Sequence, residues 1–346
     1  MSDRIARLRE LLEEPFLVTN PVNVLYLTGF DSSNAALLVE PERVRLFTDF
    51  RYIEAAEDVE GVEAVRTNRT LIVWLADELE GRIGFEASVL PWALAEEIRS
   101  GGVDLVPRRG LVEQLRAVKD EGELDTIRRA CAITDRMFER LVSEVRFVGR
   151  RELDVAWDIT RIYHEEGTEK LAFEAVVGSG PTGARPHARA GDRVIESGEL
   201  VVIDTGCRVD GYVSDYTRTL ATGELDAAQR EAYDVVLAAQ QAGLDAIRPG
   251  ENGIDVDAAA RDVIEGSEFA GTFGHGLGHG LGLDVHEAPR LATETTDILA
   301  AGNVVTVEPG VYLPGRFGIR IEDDVIVTED GIENPVRFTK QLLTVS

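Results

Sequence analysis

The sequence predicts an α+β protein of two domains, a small α/β domain over residues 1–118 and a larger domain over residues 119–346. Short apolar runs alternate with helical patterns before this boundary, and a long amphipathic helix and a weak internal repeat follow it. At 346 residues the chain is longer than one core usually fills, since single cores stop growing near ~250–300 residues. We therefore expect two folding units, the second built from duplicated helix-helix-strand-strand (ααββ) halves.

The first domain is predicted from alternation. The apolar runs PFLVTN, AALLVE, VRLFTDF and RIGFEA read as strands. Helical patterns cover residues 4–13, 52–58, 71–80 and 91–100. This arrangement indicates a sheet with helices on its faces.

The second domain opens with a helix and then repeats itself. The helix carries one apolar stripe, formed by Leu124, Ile127, Cys131, Phe138, Leu141 and Val145. Three segments then recur: 149–155 as 250–256, 198–206 as 302–310 and, more loosely, 214–219 as 321–326. Two such halves related by a pseudo-twofold axis would bring four acidic side chains together in the middle.

Two of these acids lie in a predicted hairpin. Asp210-Gly211 is a strong two-residue turn signal. A hairpin closed there places Asp204 opposite Thr217 and puts Asp215 diagonal to Asp204 on the same face. A surface hairpin with two solvated acids is the alternative. The buried character of the run before Asp204 favours metal binding, because a buried carboxylate is costly unless it is paired or coordinated.

The second half supplies the matching acids. Glu308 ends an apolar run, and Glu322 follows a strand in which Arg320 faces the same side. Asp323 and Asp324 compete with Glu322 for the role of ligand. The register of the repeat and the alternation along the strand favour Glu322 and Asp324 and leave that choice open.

A glycine-rich segment, HGLGHGLGLDVHE (residues 275–287), holds His275, His279 and His286, three of the five histidines. His187 falls at the point of the first half that matches His286. A lone histidine is more often a core residue, but this clustering favours a site. No H-E-x-x-H zinc motif is present, and the glycines before His187 lack the G-K-[ST] of a phosphate loop.

Composition excludes some classes of function. The net charge of −27 argues against nucleic-acid binding. Neither an apolar run of membrane-spanning length nor a secretory signal is visible, so we expect a cytoplasmic protein without membrane contact. The two cysteines lie in unrelated contexts and are expected to be buried in a reducing compartment. Such an acidic surface is typical of a salt-loving (halophilic) cytosol.

Together these motifs resemble the Xaa-Pro peptidase branch (prolidase and aminopeptidase P) of the creatinase/prolidase/methionine aminopeptidase superfamily. HGLGHGLGLDVHE, IDTG, SDYTRT, VEPG and GIRIED carry the resemblance, which extends over nearly the whole chain. It implies a "pita-bread" catalytic domain behind a creatinase-type amino-terminal domain. It also implies hydrolysis of Xaa-Pro bonds in proline-containing peptides by a homodimer.

The resemblance also implies roles for particular residues. Asp204, Asp215, His279, Glu308 and Glu322 would hold two divalent metal ions, with Glu322 preferred over its neighbours. Mn²⁺ is the first choice for this donor set, and Co²⁺, Fe²⁺ or Zn²⁺ are alternatives. Glu308 would move a proton, and His187 and His286 would donate to the developing oxyanion. His275 would wall the proline pocket, and Arg320 or Arg290 would receive a substrate carboxylate.

Three other functions are alternatives to this one. A metal-free creatinase-like hydrolase and a non-catalytic peptide-binding module use the same fold, and the complete ligand set argues against both. A mononuclear iron oxygenase would leave the four acids without a role.

Overall fold

The computed structural model describes residues 2–346. These form two compact units, one that ends at Arg116 and one that spans Ala117–Ser346, called here the amino-terminal and carboxy-terminal units. No helix within the described range is both long and apolar enough to cross a membrane.

The amino-terminal unit contains one mixed six-stranded sheet in the order β4-β3-β2-β1-β5-β6. Its strands are β1 (Phe16–Val18), β2 (Ala35–Val39), β3 (Val44–Thr48), β4 (Glu63–Arg66), β5 (Arg82–Glu86) and β6 (Asp104–Arg108). Its helices are α1 (Ser2–Glu10), α2 (Pro21–Thr28), α3 (Ile53–Glu57), α4 (Leu71–Glu78), α5 (Trp92–Ser100) and α6 (Glu113–Ala117), the last of which crosses the boundary. Leu17, Leu38, Phe47, Leu75 and Ile98 pack together in its core.

The four predicted strands and four predicted helices of this unit are present, with small differences at their ends. The first helix stops at Glu10 rather than continuing to residue 13, and Pro15 lies five residues beyond Glu10. Sequence analysis missed α2, although Asn20 caps it and Pro21 occupies its first position. Its mean composition is too uniformly apolar to show a helical face.

The carboxy-terminal unit contains four sheets and four helices. Its helices are α7 (Glu121–Glu144), α8 (Glu152–Glu165), α9 (Ala227–Ala246) and α10 (Gly253–Glu265). The strands of its first half are β7 (Lys170–Leu171), β8 (Val176–Ser179), β9 (Leu200–Thr205), β10 (Cys207–Val209), β11 (Tyr212–Val213) and β12 (Tyr216–Ala221). Those of its second half are β13 (Gly278–Gly280), β14 (Glu287–Leu291), β15 (Val304–Val307), β16 (Gly310–Leu313), β17 (Phe317–Arg320), β18 (Asp323–Val327) and β19 (Ile332–Glu333). The sheets run β11-β10-β7, β12-β9-β8, β14-β13-β15-β18-β19 and β16-β17.

The two halves share local chemistry as well as element order. The first helix of each half begins in a capping box, made by Asp120 in α7 and by Asp226 in α9. The glycines that open the repeated segments, such as Gly198 and Gly302, have φ values of 85° and 87°. Because only glycine adopts this left-handed conformation at little cost, the repeat preserves a backbone requirement.

The halves meet at the centre of the unit. The backbone N–H of Glu322 donates to the carbonyl of Thr217 at 3.1 Å, and the Thr219 hydroxyl donates to the carbonyl of Arg320 at 2.9 Å. These bonds join β12 of the first half to Arg320, the last residue of β17, and to Glu322, which lies between β17 and β18. Asp215, which directly precedes β12, is thereby brought close to Glu322.

Both cysteines, Cys131 on α7 and Cys207 on β10, are free and buried. Burial raises the pKa of each thiol, and the charge of Asp324 raises that of Cys131 further. The predicted structural burial of the cysteines is confirmed.

Candidate metal centre

The first pair of acids is placed by the predicted hairpin. Val209 pairs with Tyr212 across the turn, and Asp204 pairs with Thr217, as expected from the turn signal. Asp210 and Gly211 both have positive φ, 45° and 84°, which suits a two-residue turn in a right-twisted hairpin.

The three consecutive acids of the second half, which are rival candidates for a metal ligand, differ in their surroundings. Asp323 pairs with Arg218 at 2.8 Å and with Lys340 at 2.9 Å, so it belongs to a buried structural ion-pair network. Asp324 accepts the backbone N–H of Asp215 at 2.9 Å. Glu322 lies in the cluster that could hold a metal ion, as the resemblance implied.

That cluster consists of Asp215, His279 and Glu322, each of which offers one ligand atom within 4.8 Å of the others. His279 Nε2 lies 3.8 Å from Asp215 Oδ2 and 3.4 Å from Glu308 Oε1. Its Nδ1 lies 3.0 Å from the Gly280 carbonyl oxygen. A proton on Nδ1 would satisfy that carbonyl and leave the Nε2 lone pair facing the carboxylates, as metal coordination requires.

Burial and mutual repulsion raise the pKa values of the acids in the centre. Burial raises the pKa of Glu308 to about 7, and the charge of Asp204 acts in the same direction. Burial, followed by the charge of Asp204, raises the pKa of Asp215 well above its usual value. Burial and the charge of Asp215 raise the pKa of Glu322 likewise. Without added positive charge, the site therefore favours protonated carboxyls.

These residues fit a divalent metal site. Asp204 Oδ1 is buried and has no hydrogen-bond partner among residues 2–346, which leaves a lone pair available. Burial, then the charge of His286, lowers the pKa of His279 to about 4, so its imidazole is neutral near pH 7. Neutral imidazole and several carboxylate oxygens are the ligands that borderline and hard divalent ions prefer.

The other predicted histidines border the centre. The ring centroids of His286 and His279 lie 4.3 Å apart, and His286 is exposed. His187 is also exposed. Burial lowers the pKa of His286, and the charge of the nearby His187 lowers it further. His275 is half-buried, with Nε2 3.0 Å from the Tyr312 hydroxyl.

The two candidate arginines differ in environment. Arg290 is exposed and stands directly opposite His279 in the β13–β14 ladder. It forms no ion pair with any described residue. Its side chain is therefore available to a ligand.

Arg320 is 3% exposed, and the protein itself supplies its acceptors. Nη2 donates to Asp204 Oδ2 at 2.5 Å, Nε to the Thr217 hydroxyl at 3.0 Å and Nη1 to the Tyr312 hydroxyl at 2.9 Å. The guanidinium of Arg320 thus donates to acceptors within the protein, and its bond to Asp204 Oδ2 orients that carboxylate. The role of Arg320 in receiving a substrate carboxylate stays a prediction.

Three residues support the centre through contacts that the sequence did not indicate. Tyr312 links His275 to Arg320, Thr217 donates to Glu322 Oε2 at 2.6 Å, and Asp324 fixes the backbone of Asp215. The sequence indicates Thr217 only as the residue opposite Asp204, and Asp324 only as a rival of Glu322 for the role of ligand. Nothing in the sequence around Tyr312 separates it from an ordinary buried tyrosine.

Comparison with known proteins agrees with this geometry. Residues 125–329 match the model of metallopeptidase family M24, and residues 4–118 match the creatinase/prolidase N-terminal domain. The chain is 31% identical to the Xaa-Pro dipeptidase of Pyrococcus furiosus, over 99% of this chain and 100% of that one. The structure of an Xaa-Pro dipeptidase from Bacillus anthracis superposes with a TM-score of 0.96 at 35% identity, covering 99% of both chains. That of an X-Pro aminopeptidase from Thermotoga maritima gives 0.90 at 33%, covering 98% of this chain and 100% of that one.

The chain belongs to metallopeptidase family M24. The predicted fold, a pita-bread catalytic domain behind a creatinase-type domain, is confirmed. The predicted class of enzyme, a metallopeptidase, is confirmed as well, and membership of the family implies a requirement for divalent metal.

Proposed function

We propose that this chain hydrolyses the bond before proline, in Xaa-Pro dipeptides or at the amino termini of longer peptides. The observation that carries the proposal is the cluster of Asp215, His279 and Glu322, bordered by Glu308 and by two exposed histidines. Relatives named as Xaa-Pro dipeptidases and as an X-Pro aminopeptidase support the substrate class. Neither a metal-free hydrolase nor a binding module accounts for a full set of buried acids.

The proposed centre holds two divalent ions, with Mn²⁺ as the first choice. Asp204, Asp215, His279, Glu308 and Glu322 would hold these ions. When bound, two such ions lower the pKa of a shared water and polarise the scissile carbonyl. The raised pKa values of the free acids support this assignment, because positive charge is what would bring them back down.

The chain's own residues then handle protons and charge. Glu308 takes a proton from the attacking water and delivers it to the proline nitrogen, which leaves as a secondary amine. His286 and His187, both exposed at the rim, donate to the carbonyl oxygen as it gains negative charge. Arg320 donates a hydrogen bond to Asp204 and so orients this proposed metal ligand.

Two residues are assigned to the substrate. His275 walls the proline pocket, where its ring is fixed against Tyr312. Arg290 receives the substrate carboxylate, since its guanidinium is exposed and unpaired within residues 2–346. Assembly as a homodimer belongs to the same proposal and is tested by the molecular mass in solution.

The test is hydrolysis of Ala-Pro and Ala-Pro-Ala by metal-depleted protein after Mn²⁺ is added back. We expect proline or Pro-Ala to be released, and the ratio of the two rates gives the preferred substrate length. Ala-Ala is the matched substrate control, and Asp215→Asn is the matched protein control, because Asp215 is one of the residues that would hold metal. Metal analysis should find two ions per chain. If neither peptide is cleaved with any of Mn²⁺, Co²⁺, Fe²⁺ or Zn²⁺, the proposal is wrong.

A further inference from the structure

An ion pair on α10 reaches out of its helix to the loop before the metal histidine. Arg261 binds Asp257 through two hydrogen bonds, of 2.7 and 2.9 Å, and Asp257 is 1% exposed. The same guanidinium donates to the carbonyls of Phe273 at 2.8 Å and His275 at 2.7 Å. Asp257 in turn accepts the backbone N–H of Leu277 at 2.9 Å. The pair thus holds the backbone of the loop 273–277 at three points.

Within residues 2–346, two other ion pairs with the same spacing in this unit donate no hydrogen bond to the backbone of a loop. Arg140–Glu144 and Arg161–Glu165 are also i,i+4 pairs, but the side chains of both partners are partly exposed, by 28% and 42% and by 37% and 41%. Exposed pairs of this kind contribute little to stability. Removing the Asp257–Arg261 pair, in contrast, would leave backbone groups of the loop without partners.

The loop so held carries the substrate-facing ring of His275. The Arg261 guanidinium lies 4.3 Å from the centroid of the Phe273 ring, and that ring meets the His275 ring edge-on at 5.0 Å. His275 is then fixed on its other side by the Tyr312 hydroxyl. A displacement of Arg261 would therefore pass to His275 both through its carbonyl and through the Phe273 ring.

His279, four residues further on, has separate anchors. Its backbone N–H donates to the Thr306 hydroxyl at 3.1 Å, and the neighbouring Gly280 pairs with Val305 of β15. The ligand histidine is thus held by the sheet, whereas the substrate-facing histidine is held by the helix. Loss of the contacts from α10 should therefore displace His275 and leave His279 in place.

We propose that Asp257 and Arg261 are positioning residues that hold the loop 273–277 and thereby set the place of His275 for the substrate. This inference rests on the proposed function, because it uses the assignment of His275 to the proline pocket. The pair contributes to substrate binding and not to metal binding. Arg261 needs its planar fork for this, since one ammonium group cannot serve Asp257 and two carbonyls together.

The experiment compares Arg261→Met and Arg261→Lys with the matched surface variants Arg161→Met and Arg161→Lys. Hydrogen exchange of the peptide covering residues 271–280, metal content and Xaa-Pro kinetics are measured on each. For Arg261→Met we expect faster exchange in that peptide and a full metal complement. We also expect kcat/KM to fall by roughly 10- to 100-fold, mostly through KM, since misplacement by ~1 Å can cost ~10²-fold. Arg261→Lys should recover only part of this loss, and the Arg161 variants should resemble the parent.

The outcomes separate the claims. Equal behaviour of the Arg261 and Arg161 variants would overturn the positioning role, and so would a loss of metal or a fall in kcat at unchanged KM. If Arg261→Met does not fold, Arg261→Lys and Asp257→Asn carry the same comparison. If the parent protein cleaves no Xaa-Pro bond, the proposed function fails. Hydrogen exchange then still decides whether the pair holds the loop.

Discussion

Arg320 Nη2 donates a hydrogen bond of 2.5 Å to Asp204 Oδ2, although the two residues lie 116 positions apart. Each comes from a different half of the carboxy-terminal unit. The bond fixes one oxygen of Asp204 and leaves the other, Oδ1, without a hydrogen-bond partner in the described chain. The arginine therefore orients a proposed metal ligand from a buried position.

Arg320→Lys should lower kcat more than it raises KM for Ala-Pro, because lysine keeps the charge but cannot reach Asp204, Thr217 and Tyr312 together. Arg290→Lys is the matched comparison, and it should raise KM with little change in kcat. Steady-state kinetics on both variants provide the measurement. If the two variants behave the opposite way round, Arg320 binds the substrate carboxylate, as the sequence first suggested.

Replacing His279 and replacing His286 should have different effects on metal binding and on turnover. His279→Ala removes a ligand and should weaken binding of one metal ion. His286→Ala should retain both ions and cut kcat by ~10²–10³-fold, the usual scale for one oxyanion donor. His164→Ala is the control, because His164 is exposed on α8 and has no part in the site. Metal content and turnover of all three variants test the roles. Metal loss from His286→Ala with full retention by His279→Ala would reverse the assignment.

The metal-free protein should lose stability as the pH rises from about 6.5 to about 8, because below about 6.5 the lowered pKa values of the buried His275 and His279 act in the opposite direction. Burial raises the pKa of Glu308 from 4.5 in the unfolded chain to about 7 in the fold. Above about pH 6.5 the folded state therefore binds more protons than the unfolded state, so the free energy of unfolding falls with increasing pH. Asp215 and Glu322 act in the same direction.

Melting temperatures in a chelator across this pH range measure the effect. Glu308→Gln should flatten the slope, because the amide has no proton to lose. Added Mn²⁺ should remove or invert it, since metal competes with protons for the same carboxylates. A melting temperature that rises with pH in the chelator would contradict the prediction.

Salt should stabilise the fold. The chain has 63 acidic and 36 basic residues, so many acids cannot be paired and repel one another at low ionic strength. Added salt screens that repulsion, with a Debye length that falls from ~10 Å at 0.1 M to ~3 Å at 1 M. The melting temperature should therefore rise from low to molar KCl, whereas sucrose at matched osmolarity should not reproduce the shape of the curve. A flat or falling curve would remove the halophilic interpretation and leave the enzymatic one untouched.

The sequence was sufficient where the determinants are local. The Asp210-Gly211 turn fixes the hairpin register, and that register alone places Asp204 and Asp215. The partners of Arg320 could not be predicted, because Asp204, Thr217 and Pro186 reach it from the other half of the unit. Strand alternation could not separate Glu322 from Asp324 either. The two acids differ because Asp324 accepts the backbone N–H of Asp215, which lies in the other half of the unit.

The burial of the two thiols has a practical consequence for the folded unit. Cys131 and Cys207 are inaccessible, and their raised pKa values keep them protonated, so a thiol-directed dye has nothing to attack while the unit stays closed. Modification must wait for a transient opening of α7 from the strands beneath it. The rate of thiol labelling therefore measures how often that opening occurs. Labelling with and without divalent metal would report whether bound ions slow that opening.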